Sequence, residues 1–210
     1  PGTPVVKADA RDIVIDEEVK GQVSFIVYTP ANIAPAGAST PIFLVYGDGA
    51  YTEVSAQTAA GDMGLDTLAA KANANVIFVN PMGDSWGEAD VQAYLYGLVD
   101  MWNEDAGSTT GMNADNTKYI GSTQRIYIIA DGSGADFAAT QLAADTLEKF
   151  FVFTTFKYVP TAMLLNHPSA APTALTCGMP VLLANSDEEL KTAFETLNKD
   201  VENALTVTAS

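Results

Sequence analysis

Arg125-Ile126-Tyr127-Ile128-Ile129-Ala130, followed directly by Asp131-Gly132-Ser133-Gly134-Ala135-Asp136, is the stretch that sets the architecture of this chain. Its first six residues form a short apolar run of the kind that fills a strand buried on both faces. The next six place two glycines and small side chains in a turn, which predicts a strand passing straight into a helix. Similar apolar runs bounded by turn residues lie at Pro41 to Tyr46, Asn75 to Asn80, Thr161 to Asn166 and Pro180 to Ala184. Helical spacing occupies the intervals. Val91, Leu95, Leu98 and Trp102 recur at i, i+4, i+7 and i+11, and Leu190, Phe194, Leu197 and Val201 repeat that spacing, each set giving one apolar stripe to lay on a sheet. This alternation predicts an α/β fold with a mostly parallel sheet joined by right-handed crossovers. Asp12 to Asp16 and Gln22 to Thr29 alternate apolar with polar residues instead, predicting an antiparallel hairpin at the N-terminal edge. Glu104 to Thr123 reads as a long polar loop and Leu205 to Ala209 as a last short strand.

The composition fits one such domain over residues 1–210, with no linker and no internal repeat. Of the 210 residues 48% are hydrophobic and 17% charged, which is enough apolar material for a core. Ten basic against 26 acidic residues leave a net charge of −16, which repels nucleic-acid phosphates and anionic membrane surfaces. Cys177 is the single cysteine and His167 the single histidine, so neither a disulfide framework nor a Cys/His zinc cluster is expected. No apolar run reaches the roughly 18 residues needed to span a bilayer. Pro1 in place of Met points to a removed leader, and the acidic, lysine-poor, alanine-rich composition leans towards a secreted bacterial protein.

In a parallel α/β sheet, ligands are expected outside the carboxyl ends of the strands. Four loops follow such ends: Gly47-Asp48-Gly49-Ala50, Pro81-Met82-Gly83-Asp84-Ser85-Trp86-Gly87, Asp131 to Asp136, and Asn185-Ser186-Asp187-Glu188-Glu189. The two glycine turns lack the third glycine of a dinucleotide fingerprint, with Thr52 and Phe137 in its place, and each sets an Asp where a pyrophosphate would lie. No cofactor is expected. Asp48, Asp84, Asp131 and Asp136 could meet around a hard cation such as Ca²⁺ or Mg²⁺, but no EF-hand spacing supports a metal site and the carboxylates read mainly as solvated. Tyr46, Tyr51 and Trp86 are candidate pocket walls for an aromatic or sugar ring, whereas Tyr94 and Trp102 fit the buried stripe of their helix.

In order and spacing these segments resemble the α/β-hydrolase fold, and within it the polyhydroxybutyrate depolymerase and feruloyl esterase type, over roughly residues 20 to 190. Pro41-Ile42-Phe43-Leu44-Val45-Tyr46-Gly47-Asp48-Gly49 is similar to that family's strand and oxyanion loop His-Gly-x-Gly, with Tyr46 for the His. Val76-Ile77-Phe78-Val79-Asn80-Pro81 with Trp86 resembles the next strand and its Pro…Trp loop, and Asp90-Val91 opens the following helix. The resemblance implies a three-layer sandwich and a nucleophile elbow, Gly-x-Ser-x-Gly, after Ala130. Two frames fit. Ala130-Asp131-Gly132-Ser133-Gly134 keeps small residues at both crowded positions and leaves Gly132 where the nucleophile belongs. Asp131-Gly132-Ser133-Gly134-Ala135 makes Ser133 the nucleophile but puts a carboxylate at a crowded position, so packing favours the first.

The resemblance also implies an acid at Asp187, although Ser186-x-x-Glu189 equally fits a capping box. A catalytic His is implied after the last strand, where this sequence stops, which suggests truncation at the C-terminus or a pared-down relative. His167, in Asn166-His167-Pro168-Ser169, is the one imidazole that could serve Ser133 in an out-of-order triad. Three readings follow. The first is an esterase-like domain that has lost catalysis and binds or scaffolds, taking a small ester, a carbohydrate-linked ligand or a protein partner. The second is an active carboxylic-ester hydrolase using Ser133, with its His outside this chain and an oxyanion hole from Gly47, Asp48, Gly49 and Gly134. The third is an extracellular acidic, cation-dependent interaction module.

Overall fold

A computed structural model describes residues 2–33, 40–99, 125–143, 159–174, 179–201 and 206–209. Its described strands form one eight-stranded sheet in the order β1-β2-β4-β3-β5-β6-β7-β8. These are β1 (Val5–Ile15), β2 (Glu18–Thr29), β3 (Ile42–Tyr46), β4 (Val76–Val79), β5 (Ile126–Asp131), β6 (Ala162–Asn166), β7 (Val181–Ala184) and β8 (Thr206–Ala209). The β1–β2 and β2–β4 pairings are antiparallel and every pairing from β4 onward is parallel. The predicted α/β class, the antiparallel N-terminal edge and the layered arrangement are all present.

The five inner runs become strands because they are apolar on both sides. In β3, Ile42, Leu44 and Tyr46 enter one core cluster while Phe43 and Val45 enter the other, so alternate residues feed the two faces of the sheet. The hairpin is longer than the alternation suggested. β1 begins at Val5, and along it only Ile13 is buried, so most of this strand is held by its ladder to β2 rather than by side-chain burial.

Two helices, Glu53–Asp62 and Leu65–Ala72, cover one face of the sheet. Their buried residues are mainly alanines, Ala56, Ala60 and Ala69, with Leu65. The opposite face carries Glu88–Gln92, which continues as a π-helix over Ala93–Leu98, and Ser133–Phe137, which continues likewise over Ala138–Leu142. Val91, Leu95 and Leu98 are buried there, and so are Tyr94, Gly97 and Val99, so this segment is enclosed on more than one side. Tyr94 is core. The helix Glu188–Asn198 completes this layer through Leu190 and Phe194, with Leu197 and Val201 half-buried against them. Trp102, Cys177 and the Glu104 to Thr123 loop lie outside the described residues.

Strand order also locates the crevice. The chain leaves β3 for β4 on one side and later returns to place β5 on the other side of β3. After β3 it enters the helices of one face, and after β5 the helix Ser133–Phe137 of the other. The loops following β3 and β5 therefore diverge at a switch point, where α/β sheets open a ligand crevice.

Candidate functional site

At that switch point Tyr46 pairs in register with Ala130, and Asp131 with Asn166 on the far side of β5. The chain then turns at Gly132, whose φ of 57° and ψ of −123° lie where a side chain is strained. The Gly132 N–H donates to the Asn166 carbonyl at 3.0 Å and its carbonyl accepts from the Asp136 N–H at 3.1 Å, fastening the turn to β6 and to the new helix. Gly134 is the crowded position. A Cβ there would stand 2.2 Å from the Tyr46 carbonyl oxygen and 2.4 Å from that of Gly47. Ala130, four residues earlier, is completely buried.

The space beside Gly132 is taken by Asp48. A Cβ on residue 132 would meet Asp48 Oδ1 at 2.6 Å and its Cγ at 2.7 Å. That same Oδ1 accepts the backbone N–H of Ser133 at 2.8 Å. Hydrogen bonds from the Ser133 amide and then its hydroxyl hold the Asp48 carboxyl below its ordinary value of 3.8. The Asp48 loop is fixed from both flanks. Trp86 Nε1 donates to the Gly47 carbonyl at 3.0 Å, and Asn80 Oδ1 accepts the Tyr51 N–H at 2.8 Å. Asp90, only 3% exposed, accepts the N–H groups of Met82 and Gly87, each at 2.8 Å, and so pins the loop that carries Trp86. Desolvation raises the Asp90 pKa despite those bonds.

The remaining sequence candidates are dispersed. His167, at φ 50°, sets Nδ1 3.1 Å from Asp131 Oδ1, and Asn166 Nδ2 donates to the same oxygen at 3.0 Å. The polar partner of Ser133 is Asp48, and no described contact joins Ser133 to His167. Asp187 caps the helix Glu188–Asn198, its Oδ1 accepting the Leu190 N–H at 2.7 Å. The cap thus falls one residue later than the Ser186-x-x-Glu189 box, and Ser186 Oγ is buried without a hydrogen-bond partner among the described residues. Asp136 is not a solvated carboxylate, since it accepts the N–H groups of Ser169 and Ala170. Among the described residues no three His, Cys, Asp or Glu side chains converge as a metal would need, and no described helix is long and apolar enough to cross a membrane.

Tyr46 does not line a pocket. It is fully buried, with its ring against Trp86 and Phe137 at centroid distances of 5.1 and 5.4 Å, because the last inward position of β3 points into the core. Burial drives its phenol pKa well above 10.0. Tyr51 is half-buried, its ring edge-on to Phe78 and its hydroxyl against Gly47. Trp86 does reach a cleft of about 490 Å³, shared with Ser85, Glu88, Ser133, Asp136 and Gln141. A larger groove of about 690 Å³ lies on the other sheet face between Leu65, Leu68, Tyr127 and Leu164, away from the glycine turn. The smaller cleft is the candidate site because it opens at the strand ends beside the turn. Composition gave no signal for Asn80, Asp90 or the Asp48 to Ser133 bond, which joins loops 85 residues apart.

No protein-family model matches the sequence, and no curated protein matches it. Solved structures do. A thermostable esterase superposes with a TM-score of 0.59 at 11% identity, over 97% of this chain and 54% of its own. A ferulic acid esterase gives 0.57 at 11% identity over 99% and 90%, and the carboxylesterase Cest-2923 from Lactobacillus plantarum WCFS1 gives 0.59 at 13% over 98% and 83%. The chain therefore spans about half the length of the first of these structures and most of the other two. Together with the eight-stranded sheet and its flanking helices, these likenesses show that the chain has the α/β-hydrolase fold.

Proposed function

We propose that this chain is an esterase-related domain that binds a ligand in the Trp86 cleft and does not hydrolyse it. One observation carries the reading: the strained residue between β5 and its helix is Gly132, and the Asp48 carboxylate fills the space a nucleophilic side chain would need. In the α/β-hydrolase elbow the nucleophile holds that turn and the next N–H helps to bind the oxyanion. Here the turn residue has no side chain, and the next N–H already serves a carboxylate.

Ser133 is a poor substitute. Its hydroxyl faces Asp48, whose pKa is lowered, whereas a general base works best with a pKa near the working pH. The single histidine is engaged with Asp131 instead. The cleft has the volume of a small-molecule site, and its aromatic and hydroxyl lining suits a small ester or a carbohydrate-linked group.

The test is turnover of short p-nitrophenyl esters together with fluorophosphonate labelling. The expected outcome is no turnover above buffer and no adduct. Covalent labelling of Ser133, or turnover abolished by Ser133→Ala, would overturn the reading in favour of an active hydrolase with Ser133 as nucleophile.

A further inference from the structure

We propose that Asp48 is an internal ligand of the glycine turn, occupying the Ser133 amide so that acyl and carboxylate oxygens are kept off it and cleft ligands bind beside the turn. The proposal rests on the non-hydrolytic reading, and it names what the site rejects.

Geometry is the first support. The 2.8 Å separation of Asp48 Oδ1 from the Ser133 nitrogen is the distance at which an oxyanion donor meets its developing charge. A substrate carbonyl oxygen seeking this donor would have to displace a full negative charge that is already hydrogen-bonded there. A second carboxylate would also face repulsion from the first.

Rigidity is the second. Asp48 stands on a loop whose neighbours are held by Trp86 at Gly47 and by Asn80 at Tyr51. The backbone that presents the exposed Asp48 carboxylate to the amide is therefore held in place on both sides. The missing Cβ at Gly132 leaves the carboxylate its place at the amide, since a Cβ there would have to push it aside.

The third is the chemistry of the neighbouring wall. Glu88, Asp136 and the Ser85 and Ser133 hydroxyls accompany Trp86 around the cleft, and Asp131 lies beside the turn on the His167 side. This end of the sheet is acidic, so a ligand that offers hydroxyl or amine hydrogens meets acceptors, and one that offers an anion does not.

The experiment follows the Ser133 and Gly134 amides by ¹H–¹⁵N NMR while acetate, and separately phenylphosphonate, is added to wild type and to Asp48→Gly. The expected result is binding of both probes at least ten-fold tighter in the variant than in wild type. Equal responses in the two proteins, or no response in a folded variant, would overturn the proposal. If Asp48→Gly does not fold, a pH titration of wild type decides. The Ser133 amide should follow one carboxylate titrating below 3.8, and Asp48→Asn should abolish that step while leaving any steps from Asp131, Asp136 and Glu88. An amide that does not titrate in wild type, or that titrates unchanged in Asp48→Asn, overturns it as well. Ester turnover by wild type would defeat the non-hydrolytic reading without altering these amide signals, so the two failures are told apart.

Discussion

Gly134→Ala is expected to destabilise the fold, although alanine is the better helix former. The new Cβ would stand 2.2 Å from the Tyr46 oxygen, 2.4 Å from the Gly47 oxygen and 2.5 Å from the Tyr46 carbonyl carbon. All three are backbone atoms of β3 and its loop, so no side-chain rotation relieves them, and the helix beginning at Ser133 has to move away from the sheet. Overpacking of a tight core costs about 1–3 kcal/mol, and collision with backbone places this case at the upper end. Helix propensity offsets roughly 1 kcal/mol of that. The net loss should be about 2 kcal/mol, which in a chain of this size lowers the melting temperature by roughly 4–8 °C.

Gly61→Ala is the matched control. It lies inside the helix Glu53–Asp62, and a Cβ there meets nothing within 4 Å, so the same substitution should stabilise by about 0.5–1 kcal/mol. Thermal and urea unfolding of both variants measures the contrast. If Gly134→Ala were as stable as wild type, the close approach of β3 to the turn would be wrong, and with it the frame that puts Gly132 at the strained position.

Tyr46→Phe should leave stability unchanged or raise it by about 1 kcal/mol, because the wild-type hydroxyl is fully buried without a hydrogen-bond partner among the described residues; a loss above about 0.5 kcal/mol in urea unfolding would refute this. Asp187→Ala should cost about 1 kcal/mol through its lost N-cap at Leu190, and a change within about 0.3 kcal/mol would show that the cap contributes nothing. Asp90→Asn should cost about 1–3 kcal/mol near neutral pH, since one amide can no longer satisfy the two N–H groups of Met82 and Gly87. Burial raises the folded pKa of Asp90, so the proton-linked part of its contribution, separate from these hydrogen bonds, is fully present below the unfolded value of 3.8 and is lost as pH rises through the raised one. Subtracting the Asp90→Asn curve from the wild-type curve of stability against pH isolates that slope, and a flat difference would refute the assignment.

Much of the sheet was legible because buried parallel strands leave unbroken apolar runs. Pro41 to Tyr46 differs from β3 by one residue at its start, and Arg125 to Ala130 from β5 by one residue at each end. The first half of β1 was not, because an edge strand that buries only Ile13 has little reason to alternate. The helices Glu53–Asp62 and Leu65–Ala72 were not legible either, for a related reason. They pack through Ala56, Ala60 and Ala69, whose small side chains approach the sheet without making an apolar stripe.

At the site, the glycine turn was legible in the sequence, and its two frames came from the resemblance to the hydrolase elbow, with residue size favouring one of them. The placement of Tyr46 in the core and the cap at Asp187 needed coordinates, because each turns on a shift of one position along the chain. The pairing of Asp48 with Ser133 lies further still from sequence reasoning. It arises only when the switch point brings two strand ends side by side.

The shared volume of Asp48 and position 132 also constrains how this chain can change by single mutations. The Cβ of a nucleophile introduced at Gly132 alone arrives 2.6 Å from a carboxylate oxygen and in a backbone conformation that resists side chains. A change at Asp48 alone frees the amide but leaves the turn with nothing to attack with. The two sites are coupled: a side chain at residue 132 has to turn the exposed Asp48 carboxylate off the Ser133 amide. A library that varies both positions together samples that coupling, which single changes at either one do not.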